Sequence, residues 1–141
     1  MENKIGKAYG FFDCDASKEE IEREIPSLRH DARNPRGLQL LLHEGISELQ
    51  LDKALTEKIQ YPDDYRIKSS KFNKQDYDEE EEKPLSEMKY VLEANYEGAS
   101  NEKTAGELGD LLNCIHYEFN KDQNFLRGAV LYEKNGEYLF R

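Results

Sequence analysis

The chain has 141 residues, of which 35% are charged and 37% apolar, and its formal net charge is −10. This composition suits one domain with a thin core, or two half-size lobes that share a core. The acidic balance argues against sequence-independent binding to nucleic acid, which needs a surplus of Lys and Arg to displace counterions from phosphate.

Membrane insertion and metal binding have no support in the sequence. No segment approaches the roughly 20 apolar residues of a membrane-spanning helix, and no apolar segment of the signal-peptide type follows Met1. Cys14 and Cys114 lie far apart and in no CxxC pattern, so two reduced thiols in a cytoplasmic protein are expected. The three histidines have no metal-ligand spacing, so we expect neither a metal nor a cofactor.

The first elements are a strand and a short helix. The aromatic-rich stretch from Ile5 to Phe12 predicts a strand. Ser17 followed three residues later by Glu20 is a capping box, which predicts a helix start. Pro26 disfavours helical geometry at the residue before it, so we expect this helix to end early.

The segment from Leu38 to Leu42 has two interpretations. Its apolar run suits a buried strand. Pro35 ahead of it and Gly45 after it follow the Pro-in, Gly-out pattern of a short helix. We prefer the helix.

The middle of the chain predicts a helix, a strand and a linker. A second capping box, Ser47 with Gln50, predicts a helix that runs toward Gln60. A possible edge strand follows at 65–72. The run from Asp76 to Lys83 is too charged to bury apolar surface, so 73–84 is expected to be a linker between half-lobes 1–72 and 85–141.

The C-terminal part predicts strand, helix and hairpin. Met88 to Tyr96 is a strand, and the best helix opens near Ser100 or Asn101 and reaches about Asn120. Strands at 125–133 and 137–140 meet at Asn135-Gly136, the strongest short-range hairpin signal. The predicted fold class is α+β, with a mainly antiparallel sheet and the helices packed on one face.

The sharpest chemical motif is the pair Asp13 and Asp15, which follows the first strand. It resembles the first motif of haloacid-dehalogenase-type phosphatases, in which two aspartates separated by one residue end a strand. The resemblance covers about six residues. It implies that Asp13 is the nucleophile, Asp15 the general acid/base, and that the pair helps to hold magnesium. The alternative is structural, because aspartates suit a strand-to-helix turn.

A second candidate is the only positively biased segment of the chain. Three guanidiniums and an imidazole lie within eight residues, and together they could bind a phosphate or carboxylate: Arg29, His30, Arg33 and Arg36. The alternative is that they pair with Asp31 and with nearby acidic residues.

A third candidate lies on the long helix. Gly106, Asn113 and Tyr117 fall opposite its apolar stripe. Two glycines inside one helix either indicate that the helix begins after Gly109 or provide close backbone approach on an interface whose anchor is Tyr117.

From these observations we expect a small acidic interaction or regulatory protein without catalysis. Its partner would be another protein or a second copy of the chain, and neither nucleic acid nor a membrane is expected. The alternatives are a magnesium-dependent phosphatase that uses Asp13 and Asp15, and anion binding at the segment from Arg29 to Arg36.

Overall fold

The structure, a computed structural model, describes residues 4–31, 37–49, 85–123 and 125–141. Its strands and helices are β1 (Ile5–Asp13), α1 (Lys18–Asp31), β2 (Leu38–His43), β3 (Tyr90–Glu97), α2 (Asn101–Gln123), β4 (Leu126–Lys134) and β5 (Glu137–Phe140). Two single-turn 3-10 helices occur at Ile46–Glu48 and Leu85–Glu87.

The described strands form one antiparallel sheet in the order β2-β3-β1-β4-β5. From β2 to β4, strands that precede residue 50 therefore alternate with strands that follow residue 84, and β1 lies in the centre of the sheet. The units β1-α1-β2 and β3-α2-β4 interlock as in the ferredoxin-like arrangement, and β5 extends the sheet at one end. The predicted fold class, α+β with a mainly antiparallel sheet, is confirmed.

One face of the sheet and the two helices enclose the main core. Alternate residues of β1 and β3 point into it, including Ala8, Phe12 and Leu92. From α2 it receives a stripe at helical spacing, which was predicted from the sequence: Ala105, Leu108, Leu111, Leu112, Ile115 and Phe119. A smaller cluster covers part of the opposite face, where Leu85 and Met88 pack on Phe11 and Val91.

Helix α1 is longer than the sequence predicts. The predicted N-cap at Ser17 is confirmed, because Ser17 Oγ accepts a hydrogen bond from the Glu20 N–H at 3.2 Å; the Glu20 carboxylate in turn accepts from the Ser17 hydroxyl at 3.4 Å. The early stop at Pro26 is wrong, because the helix runs through it to Asp31. Pro26 and Glu22 are both exposed, so water can reach the Glu22 carbonyl that the proline leaves without an intrahelical donor.

The preferred helix at Leu38–Leu42 is also wrong. The segment is strand β2, paired with β3 from Leu38 opposite Tyr96 to His43 opposite Val91. Leu38 and Leu42 both enter the core. A spacing of four places two residues on one face of a helix and also on one face of a strand, so it does not distinguish the two.

Three predictions near the middle of the chain have different outcomes. A helix beginning at Ser47 is not formed over the residues described there, since the 3-10 turn ends at Glu48 and Leu49 is extended. The remainder of that helix, the strand at 65–72 and the linker at 73–84 lie outside the described residues.

The C-terminal predictions are confirmed with small shifts of boundary. Helix α2 begins at Asn101, with Ser100 Oγ accepting from the Lys103 N–H at 3.1 Å, so the alternative start after Gly109 is wrong. Asn135 and Gly136 have φ of 55° and 84°, as the predicted two-residue turn between β4 and β5 requires.

Candidate functional site

The turn after β1 uses Asp13 to hold the chain that leads into β3. Asp13 Oδ1 accepts a hydrogen bond from the backbone N–H of Lys89 at 2.5 Å. Asp15 is exposed. The two aspartates thus lie at the end of the strand, as the sequence indicates. The hydrogen bond of the Asp13 carboxylate has a structural role, because it holds the backbone before β3.

Two groups beside this turn are protonated at neutral pH. Burial raises the pKa of the Cys14 thiol; a backbone hydrogen bond with Ala16 acts in the opposite direction, and the charge of Asp15 raises it further. Burial also raises the pKa of Tyr90, whose hydroxyl donates to the Ala16 carbonyl at 2.6 Å. Because the thiolate is the nucleophilic form of cysteine, Cys14 is poorly suited to nucleophilic chemistry.

Stacked rings fill the adjoining space. His116 stacks on Phe125, Phe125 on Phe12, and Phe12 on Tyr90, with centroid separations of 5.0, 5.1 and 5.4 Å. The stack joins α2 to β1 and β3 at one end of the molecule. Each such pair adds about 0.5–1.5 kcal/mol beyond its burial, so this end of the fold is strongly packed.

The arginine segment lies only partly within the described residues. Arg33 and Arg36 lie outside the described residues, and Arg29 and His30 are described only as backbone within α1. Anion binding there stays a prediction.

The outward side of α2 brings the three predicted interface residues onto one line. We define the α2 outer stripe as Gly106, Asp110, Asn113 and Tyr117, spaced by four, three and four residues. Tyr117 is 82% exposed, and Asp110 and Asn113 are exposed as well. On the opposite side of the helix Leu108, Leu112 and Ile115 are fully buried, so the stripe points away from the core.

A shallow depression opens at the N-terminal end of this stripe. Its volume is about 440 Å³, and it is lined by Ser100, Glu102, Lys103, Gly106, Glu107, Asp110 and Arg141. The guanidinium of Arg141 lies against the helix where the side chain is missing, because a Cβ on Gly106 would be 3.3 Å from Arg141 Nη2. The depression therefore has a cationic group in the space that a side chain at position 106 would fill.

The second glycine of α2, Gly109, also lies next to an arginine. Arg127, in β4, is 8% exposed; its Nη2 donates to the Gly109 carbonyl at 3.5 Å and its Nη1 to the Gly128 carbonyl at 3.0 Å. Arginines from elsewhere in the chain thus lie beside both helical glycines. The approach is tight only at Gly106, because a Cβ on Gly109 would lie 3.5 Å from Arg127 Nη2, an ordinary contact. The sequence did not indicate these arginines, one of which lies in β4 while the other follows β5.

A polar cluster on the other face of the sheet was missed by the sequence analysis. His43 Nε2 lies 3.1 Å from Glu93 Oε1, whose other oxygen accepts from the Asn95 amide at 3.1 Å. Glu48 lies 3.8 Å from His43 Nδ1. Fifty residues separate His43 from Glu93, and only the β2–β3 register, which was not predicted, could have indicated the contact.

A second depression, of about 540 Å³, lies between the start of α1 and the end of α2. Four glutamates, one arginine, one serine and a phenylalanine line it: Glu19, Glu20, Glu24, Glu118, Arg23, Ser17 and Phe119. Asp13 and Asp15 line neither of the two depressions. An acidic wall of this kind is expected on a chain of this charge.

Among the described residues, no group of three or more His, Cys, Asp or Glu side chains is arranged to hold a metal ion. In that same part of the chain, no helix has the length and apolar character needed to cross a membrane. Comparisons of the chain with protein-family models, with curated proteins and with solved structures found no match.

Proposed function

We propose that this chain is a non-catalytic protein that binds another protein through the α2 outer stripe. The observation that carries the proposal is the position of Tyr117, which projects from the outward surface of a 23-residue helix with 82% of its area exposed. Tyr90, Tyr96 and Tyr132, by contrast, are buried. Tyrosine is enriched in binding hot spots, because its ring gains from burial while its hydroxyl stays at the wet rim.

The charges around the stripe favour a partner with exposed basic or hydrogen-bonding groups. Glu107, Asp110 and Glu118 lie on or beside the stripe, whereas Lys103 and Arg141 supply the cations of the depression. An acidic chain attracts a basic surface during encounter, which raises the association rate at low salt.

The phosphatase alternative has weaker support. One carboxylate oxygen of Asp13 already accepts a hydrogen bond from the Lys89 N–H, and neither of the two depressions is lined by Asp13 or Asp15. Asp13→Asn keeps an oxygen that can accept from Lys89 and removes the nucleophile. Magnesium-dependent hydrolysis of a generic phosphate ester that disappears in this variant would contradict the non-catalytic proposal.

The direct test is affinity capture from native extract with the full chain, with bound proteins quantified by mass spectrometry. We expect Tyr117→Ala to lose the captured partner while its circular dichroism is unchanged. Leu41→Ala is the matched control, because Leu41 is also a large exposed apolar residue, 53% exposed, but lies on β2. A partner retained equally by all three proteins would show that α2 is not the binding surface.

A further inference from the structure

We propose that the partner of the α2 outer stripe presents a basic protein segment, one arginine or lysine of which binds on the ring of Tyr117. The carboxylates on either side of the ring, including Asp110 and Glu118, pair with the remaining cations of that segment. This inference rests on the proposed function. It adds the chemical class of the partner and the part of the helix that receives it.

The ring of Tyr117 is open to a cation. An arginine or lysine within about 6 Å of the centroid of a tyrosine ring is attracted by that ring. Two other tyrosines already bind lysines in this way: Lys89 Nζ lies 5.1 Å from the Tyr90 centroid, and Lys103 Nζ lies 5.7 Å from the Tyr96 centroid. Tyr117 has no such contact with any residue that the structure describes, and it is 82% exposed.

The excess negative charge beside α2 lies at its Tyr117 end. The depression beside Gly106 is lined by three carboxylates and two cations, and one of those carboxylates, Glu102, is paired with Lys134 at 2.7 Å. Its charges therefore balance. The depression between α1 and α2, which Glu118 lines, has four carboxylates and one guanidinium. A basic segment is therefore attracted to the Tyr117 end of the helix rather than to the Gly106 end.

The carboxylates around Tyr117 are not paired inside the fold. Within the described part of the chain, no ion pair involves Asp110, Glu118 or Glu24. Asp110 and Glu118 are also exposed. An incoming cation therefore gains the attraction of these carboxylates without first breaking an internal pair. Each exposed pair contributes little by itself, so the segment needs several cations to bind.

A protein segment fits this surface better than a single cation does. The seven steps from Asp110 to Tyr117 span about 10 Å at the rise of an α-helix, and the depression that Glu118 lines, of about 540 Å³, lies beside them. One cation cannot reach both places, whereas a chain with several basic side chains can. Nucleic acid is repelled by the same carboxylates.

The test is fluorescence anisotropy of the full chain with a labelled peptide of alternating arginine and glycine, and with a glutamate-glycine peptide as the control probe. Wild type should bind only the arginine peptide, and the binding should weaken as salt is raised. Tyr117→Ala should weaken it about two- to fivefold, whereas Tyr117→Phe, which keeps the ring, should not.

The charge variants form a matched pair. Glu118→Gln should weaken binding of the arginine peptide by up to about fivefold. Glu97→Gln removes the same charge from an exposed position on β3 and should leave the binding nearly unchanged. Circular dichroism of every variant should match that of wild type.

Two outcomes overturn the inference. If wild type binds the arginine peptide no more tightly than the glutamate peptide, the partner does not present a basic segment. If the arginine peptide binds Tyr117→Ala and Glu118→Gln as tightly as it binds wild type, it uses another part of the acidic surface. In either case the proposed function keeps its own test, because loss of a captured protein in Tyr117→Ala would support it and retention would contradict it.

Discussion

The side-chain amide of Asn101 is hydrogen-bonded to the backbone carbonyl of Glu133 at 2.9 Å, at the point where β1 and β4 separate. The paired register of these strands ends at Tyr9 opposite Leu131. Beyond it, Asn101 Oδ1 accepts from the Lys7 N–H at 2.8 Å. The first residue of α2 thus supplies the hydrogen bonds that the two diverging strands no longer make to each other.

Asn101→Ala should therefore destabilise the fold by about 0.5–1.5 kcal/mol, because two hydrogen bonds are lost while water can still reach the exposed Lys7 N–H. The measurement is urea unfolding followed by circular dichroism. The control is Asn113→Ala. Asn113 is exposed in the middle of α2, so this change should be neutral or slightly stabilising. Equal losses in both variants would contradict the bridging role.

Gly6 is required by the contact between β1 and α2. A Cβ on Gly6 would overlap Thr104 Oγ1 and the carbonyl oxygen of Ser100, and would lie 2.7 Å from that of Ala99. Gly6→Ala should destabilise the chain by about 1–3 kcal/mol or more, since backbone atoms would have to move.

Gly109→Ala is the matched control, and we expect it to change the stability in the opposite direction. A Cβ there would lie 3.5 Å from Arg127 Nη2, an ordinary contact. Alanine in a helix interior is favoured over glycine by up to about 1 kcal/mol, so Gly109→Ala should leave the melting temperature unchanged or raise it. A lower melting temperature in Gly109→Ala than in Gly6→Ala would show that the Arg127 contact tolerates no side chain.

The β4–β5 turn depends on positive φ at Gly136 and is free of steric crowding. No described atom would lie within 4 Å of a Cβ on Gly136, so a substitution there tests the backbone alone. Gly136→Val should cost about 1 kcal/mol or more, because a β-branched residue resists a φ of 84°. Gly136→Asn should cost less, since asparagine tolerates the left-handed region. Thermal unfolding distinguishes the two, and equal stability of the Val variant and wild type would argue against the turn.

The surface salt bridge between Lys134 and Glu102 predicts how stability depends on pH. The hydrogen bond from Lys134 Nζ, 2.7 Å long, and its charge lower the pKa of Glu102 below its ordinary 4.5. A depressed carboxylate pKa contributes stability that is present above pH 4.5 and is lost as pH falls through the lowered value. Lys134→Gln should raise the pKa of Glu102, which carboxyl NMR titration measures. Lys103→Gln, one residue from Glu102, should not.

The parts of the fold that could be predicted are those fixed by neighbours along the chain. The Ser17–Glu20 box, the buried stripe of α2 and the Asn135-Gly136 turn depend on contacts within a few residues, and their boundaries agree with the structure to within a few residues. β2 could not be identified, because its strand conformation depends on pairing with β3, whose register opposes Leu38 to Tyr96.

The candidate site likewise has a part that could be predicted from neighbours along the chain and a part that could not. Helical spacing placed Gly106, Asn113 and Tyr117 on the outward side of α2, where the structure has them. It could not indicate that Arg141 would lie against Gly106 or that Arg127 would reach Gly109, because both arginines arrive through the β4–β5 end of the sheet.

The central place of β1 also governs the order in which the molecule can assemble. This strand is synthesised before the other strands of the described sheet, yet its two described neighbours, β3 and β4, follow only after α1, β2 and the segment between β2 and β3. During synthesis the aromatic and apolar residues of β1 are therefore exposed until β3 and β4 have been made. Pairing between strands so distant in sequence folds slowly, and meanwhile the unpaired edges of β1 can contact other chains. A nascent chain stalled before α2 would therefore be the form most dependent on a chaperone, whatever the stability of the finished protein.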